Sequence, residues 1–453
     1  MEVKLPNTNW CNTAGTAGGM RKEVKMKATT VVIAGAGGRG RLTYAPFSKK
    51  FPEEMKLLAV ADRIPERLEE MRREYSLPGE RCFSTAEEMF GQPRMADMAF
   101  ICTQDSEHVR HACMALEKGY DLLLEKPVSA DAAECDRLLK KARETGRSVT
   151  VCHVLRYAPF YRKLKSLLDE GALGRVISVQ ASENVGYWHQ AHSFVRGNWR
   201  KGGETSPMIL AKCCHDMDLL VWLTNSRCKR ISSMGSRSWF REENAPEGAP
   251  RFCMEGCPVK AACPYDAEKI YVTDRVTGYD TNGAGWMQKA VMAEPSREGL
   301  LEELRTSPYG RCVYRCDNDV VDNQSVTMEM DNGVTVSFHM CGLNRDNHRT
   351  IHVMGTEGDI TGNLEEETLV LHRFGGEEEI FRMDVQETIS GHGGGDYRML
   401  HELFESRNQG RATLTSLRQS VESHYMALAA EESRLRGGRM IVLEEFARRA
   451  RQE

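Results

Sequence analysis

A parallel, doubly wound α/β sheet, followed by a second α/β domain with antiparallel strands and a Cys-rich insertion, is predicted by three features. Apolar strands alternate with helical segments between Thr29 and Val151. A glycine turn, Gly35-Ala36-Gly37-Gly38-Arg39-Gly40, leaves the first strand directly. Past residue 152 the apolar spacing changes to a period of two.

The β-branched run Thr29 to Ala34 reads as a buried strand entering the turn. A helix should follow, then the strand Leu57 to Ala61, ending at Asp62. Met98 to Cys102 is a further buried strand, with a helix from about His108 to Lys118 behind it. Next come the run Leu122-Leu123-Leu124, a helix from about Ala130 to Glu144 and the strand Ser148 to Val151. Val176 to Ala181, Ser325 to Met330 and Val334 to Met340 alternate as antiparallel strands with one covered face do. Leu417 to Arg436 reads as a closing helix, and no internal repeat is present. Residues 1–28 read as an extension, with Met26 nearer the natural start; 29–151 form the first domain and 152–453 the second. Within the second, residues 240–320 are too long for an ordinary loop and read as an insertion.

An apolar fraction of 41% and a net charge of −4 describe a chain that can bury a core and carries no nucleic-acid footprint. No apolar stretch approaches the ~20 residues of a membrane helix, and residues 1–28 lack a secretory core. Of 15 cysteines, Cys102, Cys113, Cys152, Cys213 and Cys214 lie in apolar or helical contexts. That distribution fits a reducing cytoplasm better than a disulfide framework.

The glycines have separate duties. Gly35 permits the tight turn, Gly37 lets backbone approach a pyrophosphate, and Gly40 lets helix pack on strand. The helix N-terminus then offers free N–H groups to phosphate. Asp62, 22 residues after Gly40, can accept from ribose hydroxyls, which favours NAD. Arg63 beside it could meet a 2′-phosphate, so NADP stays open.

On these residues the chain resembles the Gfo/Idh/MocA oxidoreductases. Further markers are Thr103 with His108, Glu125-Lys126-Pro127, Arg156-Tyr157, His215-Asp216-Met217-Asp218 and Gly355-Thr356-Glu357-Gly358. The resemblance implies a Rossmann domain, then an α/β domain with an open, mainly antiparallel sheet. It also implies NAD(P), a sugar-like substrate and homo-oligomers packed through that sheet. It sets Gly35, Gly37, Gly38, Arg39, Gly40, Asp62, Arg63, Thr103, His108, Glu125 and Lys126 around the cofactor. Lys126 would contact the reacting hydroxyl, aimed by a cis bond to Pro127, and His215 would be the general base. The family often places Asp four residues before this histidine, where this chain has Ala211. Lys212 could stand in, its charge favouring a neutral imidazole.

Lys212, His215, Leu219 and Trp222 share a helical face, with Asp218 beside them. Tyr187, Trp188, His189, His192, Trp199 and Arg200 form a polar-aromatic segment suited to a sugar, or to loop packing alone. His392 begins a Gly-rich loop, His392-Gly393-Gly394-Gly395-Asp396, able to close on substrate. Cys253, Cys257, Cys263 and Cys312, with Cys316 as a substitute, have spacings compatible with a structural zinc, with unmetallated thiols or with an iron–sulfur cluster. The insertion reads as poor in bulky apolar residues, which predicts dependence on that cross-link.

The sequence therefore predicts an NAD(P)-dependent enzyme moving a hydride at a sugar, glycoside or polyol hydroxyl carbon. Its rivals are a glycosidase that uses NAD transiently, and a non-catalytic NAD- or sugar-binding protein.

Overall fold

A computed structural model describes residues 27–383 and 392–452. The N-terminal extension expected from the sequence lies almost wholly outside them. The first sheet holds β1 (Thr29–Ala34), β2 (Met55–Ala61), β3 (Cys82–Phe83), β4 (Met98–Ile101), β5 (Asp121–Leu124) and β6 (Val149–Val151). They pair in parallel in the order β3-β2-β1-β4-β5-β6. The order reverses between β1 and β4, and such sheets bind ligands outside the carboxyl ends of the strands at that point. Gly35, Asp62, Cys102 and Glu125 each directly follow a strand end, so all four arrive at this edge.

The second sheet holds β7 (Val176–Gly186), β8 (Cys228–Ser236), β9 (Asn323–Met330), β10 (Thr335–Asn344), β11 (His348–Gly355), β12 (Gly358–Asn363), β13 (Thr368–Arg373), β14 (Glu378–Arg382) and β15 (Ile441–Val442). Its order is β14-β13-β12-β11-β7-β10-β9-β8-β15. Every pair is antiparallel except β7 with β10. The alternating burial of β9 and β10 matches the period-two reading, with one face covered and one open. Helices Cys214–Thr224 and Leu417–Leu435 pack under this sheet in one continuous core. The former is buried almost all round, which explains why its sequence shows no clean polar face.

Two long-range features shape the site. Helix Gly395–Gln409 returns from the far end of the chain to the first domain, packing Tyr397, Leu400 and Phe404 with Ile33, Phe47 and Phe100. The insertion carries its own core, in which Phe240, Ile270, Tyr271, Leu300, Leu304 and Tyr314 meet Ala191 and Val195. That corrects the expectation of an apolar-poor insertion. Its large side chains are spread along irregular chain, where no period reveals them.

Candidate active site

At the carboxyl edge of the first sheet, Gly35 has φ +96° and its missing Cβ would lie 2.4 Å from the Cys102 carbonyl oxygen. On Gly40 a Cβ would lie 2.0 Å from the Gly35 carbonyl oxygen. Both positions therefore require glycine. Around Gly37 and Gly38 a Cβ would meet nothing within 4 Å, so the turn offers bare backbone to open space. The Asp62 carboxylate accepts from the Ala36 N–H at 2.6 Å and the Ile64 N–H at 2.9 Å, fixing it beside the turn. These residues fit a dinucleotide: an open backbone cradle for pyrophosphate and a placed carboxylate for ribose.

Other predicted contacts brace this edge. The guanidinium of Arg39 donates to Glu125 at 2.5 Å and Asp396 at 2.6 Å, and Tyr44 also donates to Glu125. Burial pushes the Asp396 carboxyl up, but Arg39 and His392 outweigh it and hold it well below the usual carboxylate range. His108 faces the Pro127 carbonyl at 2.7 Å and the Thr103 carbonyl at 3.0 Å with its two ring nitrogens, tying those turns together. Arg63 is largely exposed and lies 3.7 Å from Glu107 and 3.9 Å from Glu87.

The Lys126–Pro127 peptide is cis, as expected. Lys126 Nζ donates to the Ala211 carbonyl at 2.9 Å, one turn before His215. At position 211, where the family often has Asp, this chain meets Lys126 with a backbone carbonyl. His215 is buried, and its Nδ1 has no partner among the described residues. Its ring lies 5.6 Å from those of both His153 and His392. Burial first, then the Lys126 ammonium, holds its imidazole well below the ordinary value. Among the remaining influences on it are His153, His392 and Arg349.

The first part of the chain matches the profile of an oxidoreductase family with an NAD-binding Rossmann fold over residues 29–153, and the second matches that family's C-terminal alpha/beta domain over 165–441. The chain belongs to the Gfo/Idh/MocA oxidoreductase family. It is 24% identical over 328 residues to YteT of Bacillus subtilis, a protein only provisionally designated an oxidoreductase, covering 68% of this chain and 72% of that one. It is 29% identical over 186 residues to trans-1,2-dihydrobenzene-1,2-diol dehydrogenase of Bos taurus, covering 41% of this chain and 52% of that enzyme. Among solved structures, an inositol dehydrogenase homolog of Azotobacter vinelandii complexed with NAD+ superposes with a TM-score of 0.65 at 15% identity. That superposition covers 92% of this chain and 97% of the other, a likeness of fold.

Family membership leaves the substrate side to this chain's own residues. Lys212 lies 3.1 Å from Glu183, and Arg349 bridges Glu183 at 2.6 Å and Asp216 at 2.9 Å. Lys212 therefore answers a carboxylate, while the charges of Lys126 and Arg349 help hold the His215 imidazole down. The His189 imidazole is lowered by burial and then by Lys212, which sets it beside this network; its Nδ1 meets Asn347 at 3.0 Å. Trp188 stacks on His189 at 5.5 Å. Trp199 donates to Asp105 at 3.1 Å, joining the second domain to the loop after β4. His392, at 3.2 Å from Asp396, is tethered next to His215.

Three residues sit elsewhere. Tyr187 turns to Tyr265 at 5.9 Å and Arg200 donates to Asp317 at 2.9 Å, so both engage the insertion. Asp218, expected beside the substrate, accepts from Arg156 at 2.6 and 2.7 Å inside the core. The reason is a distant partner: Arg156, from the segment after β6, forks onto the acid inside the core, and nothing within the helix's own sequence marks that pairing. Sequence reasoning missed His153, Glu183 and Arg349, and placed Asp396 only in the Gly-rich loop without its Arg39 partner. Each is an ordinary polar residue in its own segment and gains meaning only through a distant partner.

Proposed function

We propose that the chain is an NAD-dependent dehydrogenase acting on a hydroxyl carbon of a sugar, glycoside or polyol. One observation carries this reading: the anchored ammonium of Lys126 lies in the field of buried, neutral His215, at the edge where Asp62 and the glycine turn fit NAD. Bound there, the nicotinamide supplies the hydride acceptor. Lys126 donates to the substrate hydroxyl oxygen and stabilises the charge that grows on it. His215 takes the hydroxyl proton. Lys212, His189 and Trp188 line the approach, where charged, polar and aromatic groups suit a polyhydroxylated ring. Names of relatives that include a diol dehydrogenase and an inositol dehydrogenase homolog agree with such a substrate class. A screen of sugars and aryl glycosides, following NADH absorbance, tests it; no NADH from any of them defeats it.

A second reading is favoured by Ala211. With no carboxylate orienting His215, the chain could oxidise a ring hydroxyl to a ketone, let the acidified neighbouring C–H proton and the aglycone leave by elimination, add water across the double bond so formed, and return the hydride to the ketone. Aglycone release without net NADH in the same screen would select that reading.

NAD should be preferred over NADP. Asp62 is fixed where it would repel a 2′-phosphate, so Asp62→Ala should weaken NAD binding much more than NADP binding. Calorimetry of both cofactors on both proteins checks this, and tighter NADP binding to the unmodified chain would contradict it.

The pH profile carries a sign. A base must be neutral to act, and the His215 imidazole is lowered, so its charging is displaced to more acid pH. The acid limb of kcat/KM should therefore fall below the ordinary histidine value of ~6.5. A limb centred at or above that value would remove His215 as the base. We also expect copies to pair through the open face of the second sheet, where Gln180, Thr327, His339 and Thr350 lie; light scattering at a monomer mass would exclude it.

A further inference from the structure

We propose that Cys253, Cys257, Cys263 and Cys312 form a four-thiolate zinc site with Arg196 as its built-in counter-charge. All four line one small cavity of about 20 Å³, whereas Cys316 does not and instead points its thiol at the Cys312 carbonyl, 3.3 Å away. Backbone pairing brings the outer two together. Cys253 N–H donates to the Gly310 carbonyl and Cys312 N–H to the Arg251 carbonyl, each at 2.9 Å, so two distant segments run side by side at these cysteines. Cys257 and Cys263 follow on a run of turns. Asp266, the acid that lines the same cavity, is engaged by the Lys269 N–H at 3.0 Å.

The independent sign is Arg196. It is fully buried, donating to the Arg311 and Tyr265 carbonyls at 2.7 Å each and to Cys253 Sγ at 3.6 Å. Its Nη1 has no partner. Among the described residues it makes no ion pair, and Asp266, which feels its charge, does not contact it. A buried cation without a contacting counter-ion is costly. Four thiolates around a divalent ion carry a net charge of −2, having released four protons, and set that charge beside the guanidinium. Among the described residues no three of these sulfurs lie within 4.8 Å of one another. A zinc tetrahedron with bonds of ~2.3 Å has edges of roughly 3.8 Å, so the turns must draw in by at least about an ångström. Irregular chain between residues 253 and 264 permits that, while the insertion's own core stays in place.

Elemental analysis of the full chain, purified without chelator and with any affinity tag removed, should find one zinc per chain. Cys257→Ser and Cys263→Ser should each lose it, and Cys316→Ser should keep it. Chelation of the unmodified protein should open new protease cuts between residues 253 and 264 first, with NAD binding retained by calorimetry. That last arm does not depend on any variant folding. No zinc, zinc kept by both Cys257→Ser and Cys263→Ser, or iron with matching sulfide would overturn the proposal.

Discussion

Lys126→Ala and His215→Ala should each lower turnover by about two to four orders of magnitude while NAD still binds, the usual scale for removing a proton-transfer group. The two groups serve one event. Lys126 is held by the Ala211 carbonyl at 2.9 Å, and its charge is the second cause, after burial, of the lowered His215 imidazole. Removing Lys126 therefore takes away a donor to the hydroxyl and also lets His215 charge at higher pH. The acid limb of Lys126→Ala should accordingly move toward the ordinary histidine value, a change that loss of a mere surface lysine would not produce. Because the pair acts as a unit, the double variant should lose little more than the worse single one. Single-turnover rates with NAD binding measured in parallel check this. Near-normal turnover in either variant removes its role.

The parts written in the sequence are those built from neighbours in the chain. The strand, glycine turn and Asp62 were legible because they lie within one βαβ stretch and each glycine has a local reason. Strand β9 and the helix Leu417–Leu435 were legible from period alone. What failed to show depends on distance along the chain. The β7–β10 pairing joins strands about 160 residues apart, and its parallel sense follows from a crossover that no alternation encodes. Helix Gly395–Gln409 completes the first domain's core from beyond the second, and Asp396 at its start pairs with Arg39, 357 positions away. The same limit explains the site. Lys126 and His215 were found through family motifs. His153 follows shortly after the end of β6 at Val151, and nothing local marks it; only the fold sets its ring 5.6 Å from His215.

Asp218→Ala should destabilise the protein by about 3–5 kcal/mol, the scale for leaving one partner of a buried ion pair alone. Asp218 and Arg156 are both almost fully enclosed, and the guanidinium is forked onto the carboxylate at 2.6 and 2.7 Å. Arg156 spends a further donor on the Leu414 carbonyl at 3.2 Å, so the pair ties the segment after β6 to the helix of His215 and to the chain entering the closing helix. Burial pushes the Asp218 carboxyl up and Arg156 opposes that, so each group is tolerated in the core because the other is there. Truncating the acid strands a cation. Replacing both, as Asp218→Leu with Arg156→Met, removes the charge and its need together and should recover much of the loss. Unfolding midpoints of the two singles and the double decide the matter. A raised KM at unchanged stability in Asp218→Ala would instead return this residue to the substrate; a double variant no more stable than either single would show that the arginine is held by something other than its acid.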